Sequence, residues 1–181
     1  MPTPLETVFL ARLAQNAPDL ITREATSDQQ SWVEGLIAAD VQAALHPLPP
    51  ELIAPLLPLE VKARLAGHAT AFPDSRVQVI SQAGEAIGYW RMDWSGTPPR
   101  LVDIIIMAEA RGQGHGGRLL GCLAAAADTL ALPLALSVRP GNPAEHLYHR
   151  LGFTPISPPN PSVEMRRASA SLEAASRTRA W

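Results

Sequence analysis

Cysteine is nearly absent: Cys122 is the only one in 181 residues, which excludes a disulfide framework and a thiolate-bound metal cluster. It sits beside Leu123 and Ala124 on an expected helix and reads as a buried structural thiol. Charge is also scarce, at 18% of residues with a formal net of −2 and a pI near 6.2. With no basic stripe, neither nucleic acid nor an anionic membrane is an expected partner. The opening residues, MPTPLETVFLARLAQNAP, lack the basic start and long apolar core of a signal peptide. The longest apolar region, around Leu119 to Val138, is broken by Asp128, Thr129 and Pro133, so no membrane span is expected. These absences lead to the expectation of a cytoplasmic chain in a reducing compartment. The length suits one domain, and no metal site is expected.

What is present centres on LVDIIIMAEARGQGHGGRLL, from Leu101 to Leu120. The β-branched run through Ile104, Ile105 and Ile106 favours extended backbone. Gly112, Gly114, Gly116 and Gly117 follow around a single His115, and a helix is predicted from about Gly116 to Ala131 with Leu119, Leu123, Ala126 and Leu130 on one stripe. Unpaired N–H groups at that helix start, the positive end of its dipole and the guanidinium of Arg111 converge on one place, which suits a phosphate or pyrophosphate.

Around this centre the chain reads in order. Residues 1–19 are expected to form a short peripheral helical extension. LITREAT, from Leu20, reads as a strand with Thr22 and Glu24 outward. Ser27 to Gln30 has the spacing of a capping box ahead of a helix from about 28 to 45. A second helical stretch, from about 51 to 68, is interrupted by Pro55 and Pro58. Its leucines fit either core or a homodimer contact, or one wall of an acceptor pocket. From Arg76 the period changes to two, giving a hairpin with its turn at Gln82 to Glu85; SGTPPR then leads into the Leu101 strand, completing an antiparallel meander. PLALSV, 133–138, reads as a buried strand parallel to the Leu101 strand through a helical crossover. Asn142 reads as a cap, and the helix it opens is expected to end at Gly152. Residues 153–156 and 162–167 form a terminal hairpin, and 168–181 are expected to be disordered.

Gly112, Gly114 and Gly117 also satisfy the Gly-x-Gly-x-x-Gly spacing of dinucleotide folds. Against that reading, the next strand ends at Ser137, Val138 and Arg139 with no acid for a ribose, and too little chain follows for a doubly wound sheet. A P-loop is excluded because no Gly-Lys-Ser/Thr follows. Arg111-Gly112-Gln113-Gly114-His115-Gly116 instead resembles the Gln/Arg-x-x-Gly-x-Gly/Ala pattern of the GNAT superfamily of N-acetyltransferases. AEHLYHRLGF, with Ala144, Tyr148, Gly152 and Phe153, resembles that family's second motif. The likeness covers roughly residues 20–167.

The resemblance implies an α/β fold with a mixed sheet, the GNAT-like acyl-CoA N-acyltransferase fold, splayed between the Leu101 and Pro133 strands. It implies acetyl-CoA as cosubstrate, with Ile104 and Ile106 against the pantetheine, and Arg111, Gly112, Gln113, Gly114, His115, Gly116 and Gly117 around the pyrophosphate. Tyr148 falls at the position of a tyrosine that protonates the departing thiolate, an acid role that a phenol of pKa about 10 can fill. His115 stands where the family usually has a small or aliphatic residue, and either faces solvent or assists phosphate binding. The chain holds Gly141 where the family usually has asparagine, so Asn142 is expected to cap a helix rather than touch cofactor. Asp103 interrupts an apolar strand on the face of Ile105 and Met107. It either orients or deprotonates the acceptor amine, or is bonded structurally to a neighbouring arginine or hydroxyl. His146 and His149 are expected at the surface. The function that follows is acetyl transfer to an amine of a small molecule or peptide by direct attack in a ternary complex, with no acyl-enzyme through Cys122. The alternative is a non-catalytic acyl-CoA-binding module acting as sensor or partner subunit.

Overall fold

In the computed structural model, which describes residues 1–169, seven strands form one sheet in the order β1-β2-β3-β4-β5-β7-β6. The strands are β1 (Leu20–Glu24), β2 (Arg76–Gln82), β3 (Glu85–Asp93), β4 (Arg100–Ile106), β5 (Leu134–Val138), β6 (Thr154–Pro155) and β7 (Val163–Arg167). The helices are α1 (Pro4–Asn16), α2 (Ser27–Leu45), α3 (Pro50–Ala71), α4 (His115–Thr129) and α5 (Ala144–Arg150). β1 to β4 pair antiparallel in sequence, β4 and β5 pair parallel, and β7 lies antiparallel between β5 and β6. The meander, crossover and terminal hairpin read from the sequence are therefore present. The expected tail lies, from residue 170 on, outside the described residues. No helix among the described residues is long and apolar enough to cross a membrane.

Local chemistry explains most boundaries. The β2–β3 turn places Ala83 and Gly84 at φ of 50° and 93°, the positive values that a two-residue hairpin turn needs to match strand twist. Thr26, not Ser27, precedes α2, and the Gln29 side chain accepts from its backbone N–H at 3.1 Å. The expected box is thus shifted by one residue. α3 runs through Pro55 and Pro58 as one helix. Each proline removes an intrahelical hydrogen bond, which costs stability, and packing of Leu57, Val61 and Leu65 beneath the helix offsets that loss. In β1 Ile21, Arg23 and Glu24 are exposed, Glu24 as expected, while Thr22 is buried with Leu20. Hydrophobicity misleads there because Ile21 stands exposed near the sheet edge.

Two cores lie on opposite faces. The larger combines α1 and α4 with Ile80, Trp90, Met92 and Leu101; the smaller combines Val33, Ile37 and Val41 of α2 with Tyr89 and Ile105. A β-bulge at Val102 moves β4 from one to the other, since Met92 faces Leu101 and Arg91 faces Asp103. One extra residue in a pleated strand inverts which side chains face which side. Leu101, Ile104 and Ile106 accordingly join the larger core, and Ile105 joins the smaller.

α1, expected at the periphery, is part of the larger core. Its Leu5, Phe9 and Leu13 are buried, and the Phe9 ring lies 5.1 Å from Trp90 and 5.5 Å from Trp94. Phe9→Ala is therefore expected to destabilise the protein by about 3–5 kcal/mol, measured by urea unfolding with tryptophan fluorescence. A peripheral helix predicts a loss of about 0.5 kcal/mol or less.

Candidate active site

β4 and β5 are hydrogen-bonded partners only at Arg100 with Ala135 and Leu101 with Leu136. Beyond those pairs the strands part, leaving a gap in the middle of the sheet between residues 102–106 and the end of β5. Backbone groups on a strand edge seek partners, so this gap is a built place for an extended ligand. Ile104 and Ile106, half-buried, lie along it on β4.

The strand ends in a 3₁₀ turn, Ala108–Ala110, and the chain enters the glycine segment. Gly112 and Gly114 have φ of 75° and 81°, and a Cβ built on either meets nothing within 4 Å. Left-handed backbone is what requires glycine here, and the space outside the turn is open. The first backbone bond of α4 runs from Arg118 to Gly114 at 3.0 Å, so the preceding helical N–H groups have no partner within the helix. Arg111 is exposed and donates through Nε to the Ile106 carbonyl at 2.8 Å, which fixes it beside the turn. Gln113 folds back onto the Glu109 carbonyl at 3.0 Å. Gly117 and Gly116 lie against Leu147 of α5, 3.6 and 3.9 Å from a built Cβ, so α5 packs beside the α4 start.

His115 does not face solvent. It is buried, and neither ring nitrogen has a partner among the described residues. Unpaired buried polar nitrogens are costly. Open turn, unpaired N–H groups and Arg111 together fit a pyrophosphate.

Asn142 accepts from the Ala144 N–H through Oδ1 at 2.9 Å, the capping role read from sequence. α5 ends at Gly152, with φ of 88°. Its one buried residue is Tyr148, which meets Phe153 edge-on at 6.1 Å. Burial, helped by the nearby negative charge of Asp103, pushes the Tyr148 phenol up to about 12. His146 and His149 are at the surface. Cys122 is buried, its thiol pushed up by burial and directed at the Arg12 carbonyl.

Asp103 projects from β4 under α3 into a polar cluster. Arg64 Nη2 donates to Oδ1 at 2.6 Å and Arg64 Nε to Oδ2 at 3.2 Å, while the Tyr89 hydroxyl donates to Oδ2 at 2.5 Å. Three donors occupy the carboxylate and fix its place beneath α3. Arg64 also reaches Asp40 of α2 at 2.7 Å. Burial works against the charged guanidinium, yet the Asp103 charge and the bonds to both carboxylates raise its pKa well above ordinary. Burial and the same carboxylate raise that of Tyr89.

Sequence reading missed Arg64 and His68. Both line a cavity of about 330 Å³ between α2 and α3, together with Val41, Glu60 and Arg139. Only the helical spacing of four between these two polar residues, in a stretch otherwise read as apolar, could have drawn notice. Arg139 follows β5 directly, so the cavity reaches from α3 to the end of that strand.

Residues 73–155 match the family model described as the acetyltransferase (GNAT) domain. No curated protein sequence matches significantly. Among solved structures, the PaiA N-acetyltransferase from Thermoplasma acidophilum in complex with coenzyme A is similar with a TM-score of 0.61 at 13% identity, covering 82% of this chain and 98% of that one. Histone acetyltransferase HPA2 and related acetyltransferase from Corynebacterium glutamicum gives a TM-score of 0.57 at 21% identity, covering 84% and 97%. Spermidine N-acetyltransferase from Vibrio cholerae in complex with CoA and spermine gives 0.54 at 18% identity, covering 82% and 94%.

The buried Arg64–Asp103 pair makes a stability prediction. Arg64→Met strands the carboxylate and is expected to cost about 3–5 kcal/mol, read from urea midpoints. Adding Asp103→Asn should recover part of that loss; equal stability of the single and double variants would show that the pair is not what holds the site.

Proposed function

We propose that this chain, whose residues 73–155 match the acetyltransferase (GNAT) domain, is an N-acetyltransferase in which an acceptor amine attacks the thioester of acetyl-CoA directly. The observation that carries this reading is the gap between β4 and β5, with a pyrophosphate-suited turn after β4 and the Tyr148 helix packed beside the start of α4. Acetyl-CoA would supply the acyl group. Arg111, Gly112, Gln113, Gly114, His115, Gly116 and Gly117 would hold its pyrophosphate, and Ile104 and Ile106 would line its pantetheine arm.

The acceptor is an amine of a small molecule or of a peptide, held against the thioester on the α2–α3 side. Holding both reactants in one site lowers the entropic barrier to attack, and unpaired backbone N–H groups along the gap are suited to the developing oxyanion. Tyr148 remains protonated over the whole neutral range because its pKa lies near 12. That favours hydrogen bonding to the departing sulfur as charge builds there, followed by proton transfer once the thiolate has formed. Asp103, held by Arg64 and Tyr89, acts as a fixed charge that orients the amine side of the site. Cys122 takes no part, because its buried thiol lies within α4 and away from the gap.

Thiol release from acetyl-CoA with a panel of primary amines tests the reading. Turnover with at least one is expected; tight binding without release across the panel would leave a CoA-binding module. Tyr148→Phe is expected to lower kcat by about 10²–10⁴-fold with CoA affinity unchanged, and an unaltered kcat would remove the acid role. In the wild type, Tyr148 should cause no alkaline fall in kcat below about pH 11, since a group of pKa near 12 keeps its proton there.

A further inference from the structure

Resting on the acetyl-transfer reading above, we infer that His68 takes the proton from the acceptor ammonium, and that the cavity between α2 and α3 is where that amine is held. An alkylamine is an ammonium at neutral pH and has no lone pair to attack with, so a proton acceptor must face it. Asp103 is a poor candidate because three donors already occupy it. His68 lines the same cavity from the last turns of α3, half-buried, with Nδ1 3.8 Å from Asp103 Oδ2. A carboxylate beside Nδ1 favours the tautomer with the proton on that nitrogen, which leaves the Nε2 lone pair as acceptor. The separation is somewhat long for a hydrogen bond, as catalytic contacts often are before substrate binds.

The charges around the ring suit a base that must be neutral at rest. Burial lowers the His68 pKa below its ordinary 6.5; Asp103 of β4 opposes this, and Arg64 of α3 and Arg91 of β3 reinforce it. Arg91 carries Nε and Nη1 buried without a partner among the described residues, so its charge is little screened by protein bonds. Asp40 of α2 partly balances Arg64. Glu60 of α3 and Arg139 beyond β5 also line the cavity, a carboxylate to attract an ammonium and a guanidinium at the end of the strand. The cavity, at about 330 Å³, matches the lower end of small-molecule sites and takes a small primary amine or the amino end of a longer one.

The step balances as follows. His68 accepts one proton from R–NH₃⁺; the free amine forms the C–N bond as the C–S bond of the thioester breaks. The nitrogen loses its second proton as the amide forms, balancing the one that Tyr148 gives to sulfur. The proton on His68 passes to solvent, leaving the amide and CoA thiol.

The test compares two acceptors with His68→Gln: an alkylamine, which needs deprotonation at pH 7, and methoxyamine, whose weakly basic nitrogen is neutral there. The expected result is a loss in kcat of about 10²-fold or more for the alkylamine, a loss several-fold smaller for methoxyamine, and unchanged CoA affinity. Equal slowing of both acceptors, or wild-type rates for both, overturns the role of His68 while leaving acetyl transfer intact. A protein that binds acetyl-CoA and releases no thiol with any amine overturns both. Should His68→Gln fail to fold, the wild-type kcat profile decides. One ionisation below pH 6.5 that lowers kcat as the solution is acidified supports the base, and a flat profile down to pH 5 refutes it.

Discussion

The constraint on which the site depends is the brevity of the β4–β5 ladder. A sheet of seven strands gains most from continuous pairing, yet its central parallel contact lasts for two residue pairs only. The separation leaves backbone donors and acceptors in the interior, where they need partners. The bulge at Val102 lies just where the strands part. It turns Asp103 and Ile105 toward α2 and α3 while Leu101, Ile104 and Ile106 keep to the α1–α4 side. One inserted residue therefore sets both the opening and the chemistry of its two faces.

The two faces are unequal. On the α1–α4 side aromatic rings, aliphatic side chains and the buried start of α4 form a dense support for the glycine turn. The other side is thinner and more polar, with Asp103, Arg64, Asp40, Tyr89 and Arg91 beneath α3. A cofactor common to many reactions can be held by backbone on a rigid element, whereas an acceptor is selected by side chains on a helix. Charge in the second cluster is close to balanced, two carboxylates against two guanidiniums, with the imidazole of His68 added. Such a cluster fixes orientation more than it adds stability, because desolvation consumes much of the Coulombic attraction.

Local signals were the legible ones. Strand, glycine turn and helix follow one another within about twenty residues, and each is specified by side chains it contains; hence the Leu101–Leu120 region, the Asn142 cap and the Gly152 stop could be read directly. The contacts that could not be read join distant segments. Arg64 and Asp103 are 39 residues apart, and the stretch containing Arg64 and His68 has no motif, only apolar content and two prolines. Phe9 of α1 meets Trp90 and Trp94 across some eighty residues, so its burial was invisible beside a plain helical stripe. His115 could be placed at the turn by position, but whether its ring points inward depends on how α4 seats against the sheet, which no neighbouring residue dictates. The register of β1 failed for a related reason: alternation gives two faces without saying which is covered.

No residue of α3 is fully buried, although the helix is 22 residues long. Its attachment rests on half-buried side chains and on the Arg64 bonds to β4 and α2. A segment held this way opens at a lower free energy than the sheet beneath it. The α3 wall can consequently breathe while the seven strands and the glycine turn stay closed. Amides of α3 should then exchange with solvent by local excursions, whereas those of β3 await unfolding of the whole domain.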